Sequence, residues 1–310
     1  MAAHPGQDRP VVKVPVAIMS FNRPGYLNQV IQSIKRQERV DLGEYDFHLF
    51  QDGAVNKYSN ETYANFGDLE YCTRIFLEAF PNGVVHNWEH NIGVCENFLR
   101  AESEFFEKQG APVAYFFEDD LKLEPDYFFY MEKVRKLSEA SGSVGYFAAY
   151  GALRHSTEHV IRNQQRLNRM DHLWGFGLFK SHWFAMQPQM QIYYDLVLGK
   201  DYRKRNTEHI FSELKRNGIL VRASSQDDVK KAVTYNLQKV ALNTWLPHAL
   251  YIGETGLHMN PETFRSLGFD KTVIVKPDNE ELKFPSKDTI AEWIQRELDG
   301  RVKDTAEIAI

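Results

Sequence analysis

Three adjacent carboxylates, Glu118, Asp119 and Asp120, follow an uninterrupted apolar and aromatic run at residues 113–117. Like charges at this spacing repel one another and destabilise a fold unless a cation or a set of hydrogen-bond donors offsets them. Hard oxygen ligands suit Mg2+ or Mn2+, and such a site takes one or two protein carboxylates and leaves its other positions to water and phosphate oxygens. The triplet is therefore a candidate metal site. The alternative is a solvated turn ahead of a helix near Pro125, the usual fate of a charge run.

Other residues with chemical potential recur along the chain: Ser20, Asn22 and Arg23, then Asp52 after Gln51, then Asn91 and Gly93. Amides and carboxylates pair with the edge of a base or with ribose hydroxyls, and Arg23 can reach a phosphate. Asp195 stands in Tyr193-Tyr194-Asp195-Leu196, and Asp227 and Asp228 follow Ser224-Ser225-Gln226. These last acids cap a helix or bring a carboxylate to a ligand, with Ser225 and Gln226 on a loop that closes over it. Asp201 sits in a basic run, residues 199–205, which reads as a solvated helix start or as a contact for an anionic acceptor. His258 is either structural or a ligand.

The elements that must carry these residues alternate. Residues 11–19 read as a strand, Pro24 sits near the first position of a helix, and further strands are expected at 45–50, 84–86, 113–117 and 144–149. Helices are expected at 69–79, from Asn91 to about Glu107, and at 127–137. This rhythm predicts an α/β fold with a doubly wound, mostly parallel sheet, in which ligands bind beyond the carboxyl ends of the strands. Ser20, Asp52, Asn91 and Glu118 all fall at such ends, so they converge on one crevice. Past residue 150 the rhythm changes. Residues 150–173 are loop-like, and residues 173–179 bring glycines among large apolar groups, as a strand bend or a close approach to a ligand. Helices follow around 182–187 and 207–217, then a strand at 218–223 and a helix running from the 224–228 turn through Leu242. Ser286 caps an amphipathic C-terminal helix, for packing on the core or on a partner in an oligomer. The division is a tail at 1–10, a ligand-binding part at 11–150, a second part at 151–282 and a C-terminal segment at 283–310.

With 310 residues, 43% hydrophobic and 25% charged, the chain is long enough for a substantial core and has the composition of a globular protein, which excludes disordered and fibrous classes. A net charge of -5 gives no general attraction to nucleic acid. Cys72 and Cys95 form no zinc-binding pattern and read as two free buried thiols. No run reaches the ~20 apolar residues of a membrane span, and residues 1–13 lack a signal-peptide core. A cytoplasmic protein, or a catalytic domain excised from a longer or membrane-associated enzyme, is the expectation.

The order of these residues resembles the nucleotide-sugar glycosyltransferases of the A-type (GT-A) fold, and within them the N-acetylglucosaminyltransferase I group. The likeness spans roughly residues 14–230 and rests on Gln51-Asp52, on Glu118-Asp119-Asp120-Leu121 and on Pro125-Asp126-Tyr127. It implies a helix-flanked sheet with an acceptor-side subdomain. Asp52 would contact uracil, and Asp120 would bind the metal bridging a diphosphate, with His258 returning to it. Ser20, Asn22, Arg23, Asn91, Gly93, Glu118, Asp119, Ser225 and Gln226 would hold the donor. Trp174, Gly175 and Phe176, with Trp183, would meet the acceptor. Asp195 would be the base, with Asp227 as a second catalytic candidate; the family has paired acids where this sequence has Asp195 alone. The implied activity is metal-dependent, inverting transfer of a sugar, GlcNAc first, from a UDP-sugar to a hydroxyl of a glycan, lipid-linked glycan or glycoprotein. A sugar-1-phosphate nucleotidylyltransferase would carry a glycine-rich basic loop where residues 20–25 have none. A binding module without turnover is the other alternative.

Overall fold

A computed structural model describes residues 13–256 and 259–307. The chain forms β1 (Val14–Ser20), α1 (Pro24–Lys35), β2 (Tyr45–Gln51), α2 (Phe66–Ala79), β3 (Val84–Asn87) and α3 (Gly93–Ser103). Then come β4 (Val113–Phe117), β5 (Leu121–Leu123), α4 (Tyr127–Ser141), β6 (Val144–Phe147), α5 (Thr157–Arg162), β7 (Leu167–Arg169) and β8 (Gly175–Phe179). The last third holds α6 (Lys180–Val197), α7 (Thr207–Arg216), α8 (Gln226–Asn236), β9 (Val240–Thr244), β10 (Ala249–Tyr251), α9 (Pro261–Ser266) and α10 (Lys287–Glu307).

An eight-stranded sheet in the order β3-β2-β1-β4-β8-β6-β9-β7 takes strands from both sides of residue 150. β1 pairs in parallel with β2 and β4, β2 with β3, and β6 with β9; β8 and β7 are the antiparallel members. The fold class is the expected one, a mostly parallel sheet flanked by helices. β4 is buried along its whole length, as a central strand covered on both faces must be. In α1, Leu27, Val30, Ile31 and Ile34 form the buried stripe and Pro24 opens the helix, where its missing N–H does no harm. The core is unusually aromatic where β4 and β8 meet α3: Phe116 stacks on Phe176 with ring centroids 5.3 Å apart. Cys72 and Cys95 are free and buried.

Two expectations are corrected. Residues 218–223 form no strand, because the N–H groups of Arg222 and Ala223 donate to the Asp228 carboxylate, at 2.5 and 3.1 Å, instead of to a ladder. The helix opening at Gln226 stops at Asn236; Gln238 then takes a positive φ of 56°, and residues 240–244 enter the sheet between β6 and β7. The loop-like stretch 150–173 contains α5 and β7. The C-terminal helix packs on this chain, with Ile290 and Ile294 buried against the core. The expected strand start at Val11 and the tail 1–10 lie outside the described residues. Among the described residues, no helix is long and apolar enough to cross a membrane.

Candidate active site

The carboxyl ends of β1 and β4 adjoin in the sheet, and a short antiparallel ribbon of β5 and β10 lies beside them. β5 begins directly after the acidic triplet, Leu121 faces Tyr251 in register, and the N–H of Ile252 donates to the Asp120 carbonyl at 2.9 Å. The ribbon thereby brings residues 251–256 to the acids. Gly253 is needed there: a Cβ at this position would lie 2.6 Å from Asp120 Oδ2 and 2.7 Å from the Tyr251 hydroxyl.

Asp119 and Asp120 are buried and share one cation. The Arg23 guanidinium forms ion pairs with Asp119 and with Asp120 Oδ2, the latter at 2.8 Å, and its Nη1 donates to the Thr255 carbonyl at 3.3 Å. Burial pushes Asp120 up to about 6, the Asp119 charge adds to this, and Arg23 opposes it. Glu118, half-buried, is raised well above the carboxylate range by burial, then by the charges of Asp120 and Asp227. One arginine thus offsets a larger negative charge. Asp120 Oδ1 is buried and has no hydrogen-bond partner. An orphaned carboxylate oxygen in an acid-rich rim fits a hard divalent ion held through one carboxylate, with water and phosphate completing its shell. Among the described residues, no three His, Cys, Asp or Glu side chains come together as a fuller metal cage. His258 lies outside the described residues.

Asp52 is placed differently from its expected role. Its Oδ1 accepts from the N–H of Gly53 and Ile92, both at 2.9 Å, and its Oδ2 from Asn91 Nδ2 at 2.8 Å and the N–H of Gly93 at 3.0 Å. Each oxygen already takes two donors, so a base edge would have to displace one of them. The carboxylate fastens the end of β2 to the start of α3, and burial pushes it up to about 6 against the pull of the three backbone donors. Asn91 and Gly93 are part of that same anchorage. Ser20 likewise donates to Gln51 Oε1 at 2.9 Å, joining β1 to β2. Asn22 is half-buried at the rim.

On the other side of the acids, Trp174 lies between two rings, parallel to Tyr251 with centroids 4.1 Å apart and to His172 at 4.0 Å. Both of its faces are taken. Gly175 and Phe176 are interior: the Gly175 carbonyl accepts from the Tyr127 hydroxyl at 2.9 Å, and Phe176 is 1% exposed. Neither offers an acceptor any surface, which corrects their expected role. A Cβ on Gly175 would meet Leu121 Cδ2 at 2.4 Å, so glycine here serves close packing of β8.

Of the two candidate bases, Asp195 is exposed on α6 and its Oδ1 accepts from Gln191 Nε2, one turn earlier, at 2.6 Å. Asp227 is half-buried in the first turn of α8, where Ser225 caps the helix by accepting from the Asp228 N–H at 3.4 Å. Burial pushes Asp227 up to about 6, opposed by Lys230 and Lys231 and reinforced by Asp228 and Glu102. Gln226 beside it is buried, with Oε1 unpartnered. Asp201 is a structural cap that accepts from the N–H of Arg203 at 2.9 Å and from the Tyr63 hydroxyl.

The sequence reading missed Tyr251, Gly253 and Thr255, although they share a segment with His258, and it missed Glu102 and Lys230. The signal for the latter pair was present: Glu102 falls in register with the buried Cys95, Phe98 and Phe105, and Lys230 beside the buried Val229 and Val233.

The GNT-I family model matches residues 2–240. An alpha-1,3-mannosyl-glycoprotein 2-beta-N-acetylglucosaminyltransferase of Arabidopsis thaliana is 21% identical over 176 residues, which make up 56% of this chain and 39% of that relative. The chain thus matches well under half of the relative's length. Among solved structures, the mannosyltransferase PcManGT from Pyrobaculum calidifontis, in complex with GDP-Man and Mn2+, is 11% identical, with a TM-score of 0.39, over 57% of this chain and 46% of that one. TarS 1-349 of S. aureus is 10% identical, with a TM-score of 0.41, over 75% of this chain and 57% of that one.

Proposed function

The chain belongs to the GNT-I family, and on that premise we propose that it is a metal-dependent, inverting glycosyltransferase that moves a sugar from a UDP-sugar to a hydroxyl of a glycan-bearing acceptor. GlcNAc is the first choice of sugar, on the name of the Arabidopsis relative. Asp227, not Asp195, is the base. One observation carries this reading: Asp227 is half-buried in the first turn of α8, next to the buried Gln226 with its unpartnered Oε1, while Asp195 sits on an exposed helix face.

Asp120 would hold the divalent ion through its unpartnered Oδ1. Such an ion, when bound, offsets the negative charge that develops on a departing diphosphate. Arg23 is a second cation at the same point, and its forked N–H donors match phosphate oxygens. Asp227 takes the proton of the acceptor hydroxyl as that oxygen forms its bond to the anomeric carbon, and the bond from that carbon to the UDP oxygen breaks on the opposite face. The proton ends on Asp227. A positioned base of this kind supplies ~10²- to 10⁴-fold. The Tyr251, Trp174 and His172 stack forms a rigid wall beside Asp120.

Incubation with UDP-GlcNAc, Mn2+ and an acceptor panel, with the product followed by proton NMR, tests the reading. A β-linked product from the α-configured donor is expected, and retention of the α configuration would refute inversion. A binding module without turnover is the second reading, favoured by Arg23, which neutralises part of the acidic triplet unaided. UDP binding indifferent to EDTA, with no donor cleavage, selects it.

A further inference from the structure

A buried ion pair lies one turn along α8 from the proposed base, and no step of the reaction above uses it. Glu102 of α3 and Lys230 of α8 are both out of contact with solvent, with Nζ 2.5 Å from Oε1. The other carboxylate oxygen accepts from Trp183 Nε1 of α6 at 3.1 Å. The ammonium lies 5.2 Å from the centre of the Phe98 ring. Three helices therefore meet at one carboxylate. Stability is a poor reason for such a pair, because replacing both buried charges by apolar groups is often neutral or stabilising.

Position supplies a better reason. Lys230 follows Asp227 by three residues on α8, so the two side chains share a helix face. We propose that Glu102 and Trp183 fix the Lys230 ammonium one turn along α8 from Asp227, which makes Lys230 a positioning residue for the base. The charged and titratable groups bearing on Asp227 come from every side: Asp228, Lys230 and Lys231 of α8, Glu102 of α3, Glu118 after β4, Tyr146 of β6, Tyr193 of α6, and Tyr202. The carboxylates among them favour the neutral acid. Lys230 and Lys231 favour the ion, and Arg205 bears on the neighbouring Tyr193 and Tyr202. Lys231 donates to the Asp171 carbonyl at the surface, where water screens it. Lys230 is the cation that the fold keeps dry.

This inference rests on Asp227 as the base, and its test separates the two ideas. The variants are Lys230→Met, Lys230→Arg, Glu102→Gln and the double variant Glu102→Gln/Lys230→Met. In Lys230→Met, kcat is expected to fall about tenfold or more with donor KM within about twofold, and the acid limb of kcat/KM to move up by about one pH unit. Lys230→Arg should hold the limb in place. The double variant, with no charge left unpaired, should recover the stability lost in each single variant yet keep the kcat defect and a limb displaced in the same direction, by less than in Lys230→Met because the Glu102 charge is gone as well. Recovery of kcat together with stability overturns the inference, because the pair would then serve packing alone. Carboxyl 13C NMR of Asp227 reads the coupling without turnover: an upward shift in Lys230→Met supports it, and an unchanged titration overturns it. A wild-type protein that turns over no nucleotide sugar counts against the proposed function, while the NMR titration still decides the coupling.

Discussion

Arg301 of the C-terminal helix grips Asp228, the residue next to the proposed base, with Nη2 and Nη1 at 2.8 and 3.2 Å from its two carboxylate oxygens and 1% of the arginine side chain exposed. The same Asp228 accepts the N–H groups of Arg222 and Ala223. The start of α8 is thus tied to a helix beyond the stretch matched by the family model.

Arg301→Ala is expected to destabilise the protein by about 3 kcal/mol, since it strands a largely buried carboxylate. Burial would raise Asp228, yet Arg301 and the backbone donors hold it below the ordinary carboxylate range. A depressed carboxylate contributes stability that is present above its unfolded value, near 4, and is lost as pH falls through its folded value. Urea unfolding from pH 7 to 3 should therefore show a shallower acid loss in Arg301→Ala. Equal stability of the variant and the wild type at pH 7 would show that the clamp contributes nothing.

Asp227→Asn is expected to lower kcat by ~10²- to 10⁴-fold while UDP affinity stays within about threefold. Asp195→Asn should leave kcat within about twofold. Because Asp227 is pushed up to about 6 and acts as the carboxylate, kcat/KM should fall below about pH 6 and level off above it. Steady-state kinetics across pH 5 to 8 decide this, and a larger loss in Asp195→Asn would restore that residue as the base.

What could be read from the sequence divides along physical lines. A parallel strand covered on both faces must be apolar throughout, so β4 and its acidic end were visible as a pattern. Residues 218–223 carry the same apolar signal, but their backbone donors go to Asp228, a pairing that no local pattern encodes. The turn at Gln238 is a positive-φ residue other than glycine, which leaves no mark, and β9 was therefore absorbed into the preceding helix. Asp52 was visible as an acid at a strand end. Its saturation by Asn91, Ile92 and Gly93 depends on how α3 docks. Lys230 and Glu102 show in the sequence by falling among buried helix positions, but their pairing with each other joins residues remote in the chain.

His48 and His86, on the paired strands β2 and β3, share a hydrogen bond of 3.0 Å between Nδ1 and Nε2. Burial, with a smaller contribution from His86, pushes His48 down to about 4. A depressed histidine is neutral in the fold, so the unfolded chain binds more protons between about pH 4 and 6.5. Stability from this site is whole above about pH 6.5 and declines as pH falls. His48→Phe is expected to remove on the order of 2 to 3 kcal/mol of acid sensitivity between pH 7 and 4. Parallel stability curves for variant and wild type over that range would rule the pair out as the source.

Gly253 offers a test of the proposed metal site that leaves every carboxylate in place. The methyl group of Gly253→Ala would lie 2.6 Å from Asp120 Oδ2 and 2.7 Å from the Tyr251 hydroxyl, so one of them must move. Tyr251 is held by its stack on Trp174, so the carboxylate is the group that turns, at the expense of its ion pair with Arg23. If Asp120 holds the ion, calorimetric titration of UDP should show tighter binding with Mn2+ than with EDTA in the wild type. Asp120→Ala should abolish the difference, and Gly253→Ala should reduce it by about tenfold, the effect of about 1.4 kcal/mol. Binding of UDP without metal should survive in both variants, because Arg23 remains to meet the phosphates. A Gly253→Ala protein with undiminished Mn2+ dependence would place the ion away from Asp120, and a wild type indifferent to Mn2+ would leave Arg23 as the principal cation facing the diphosphate.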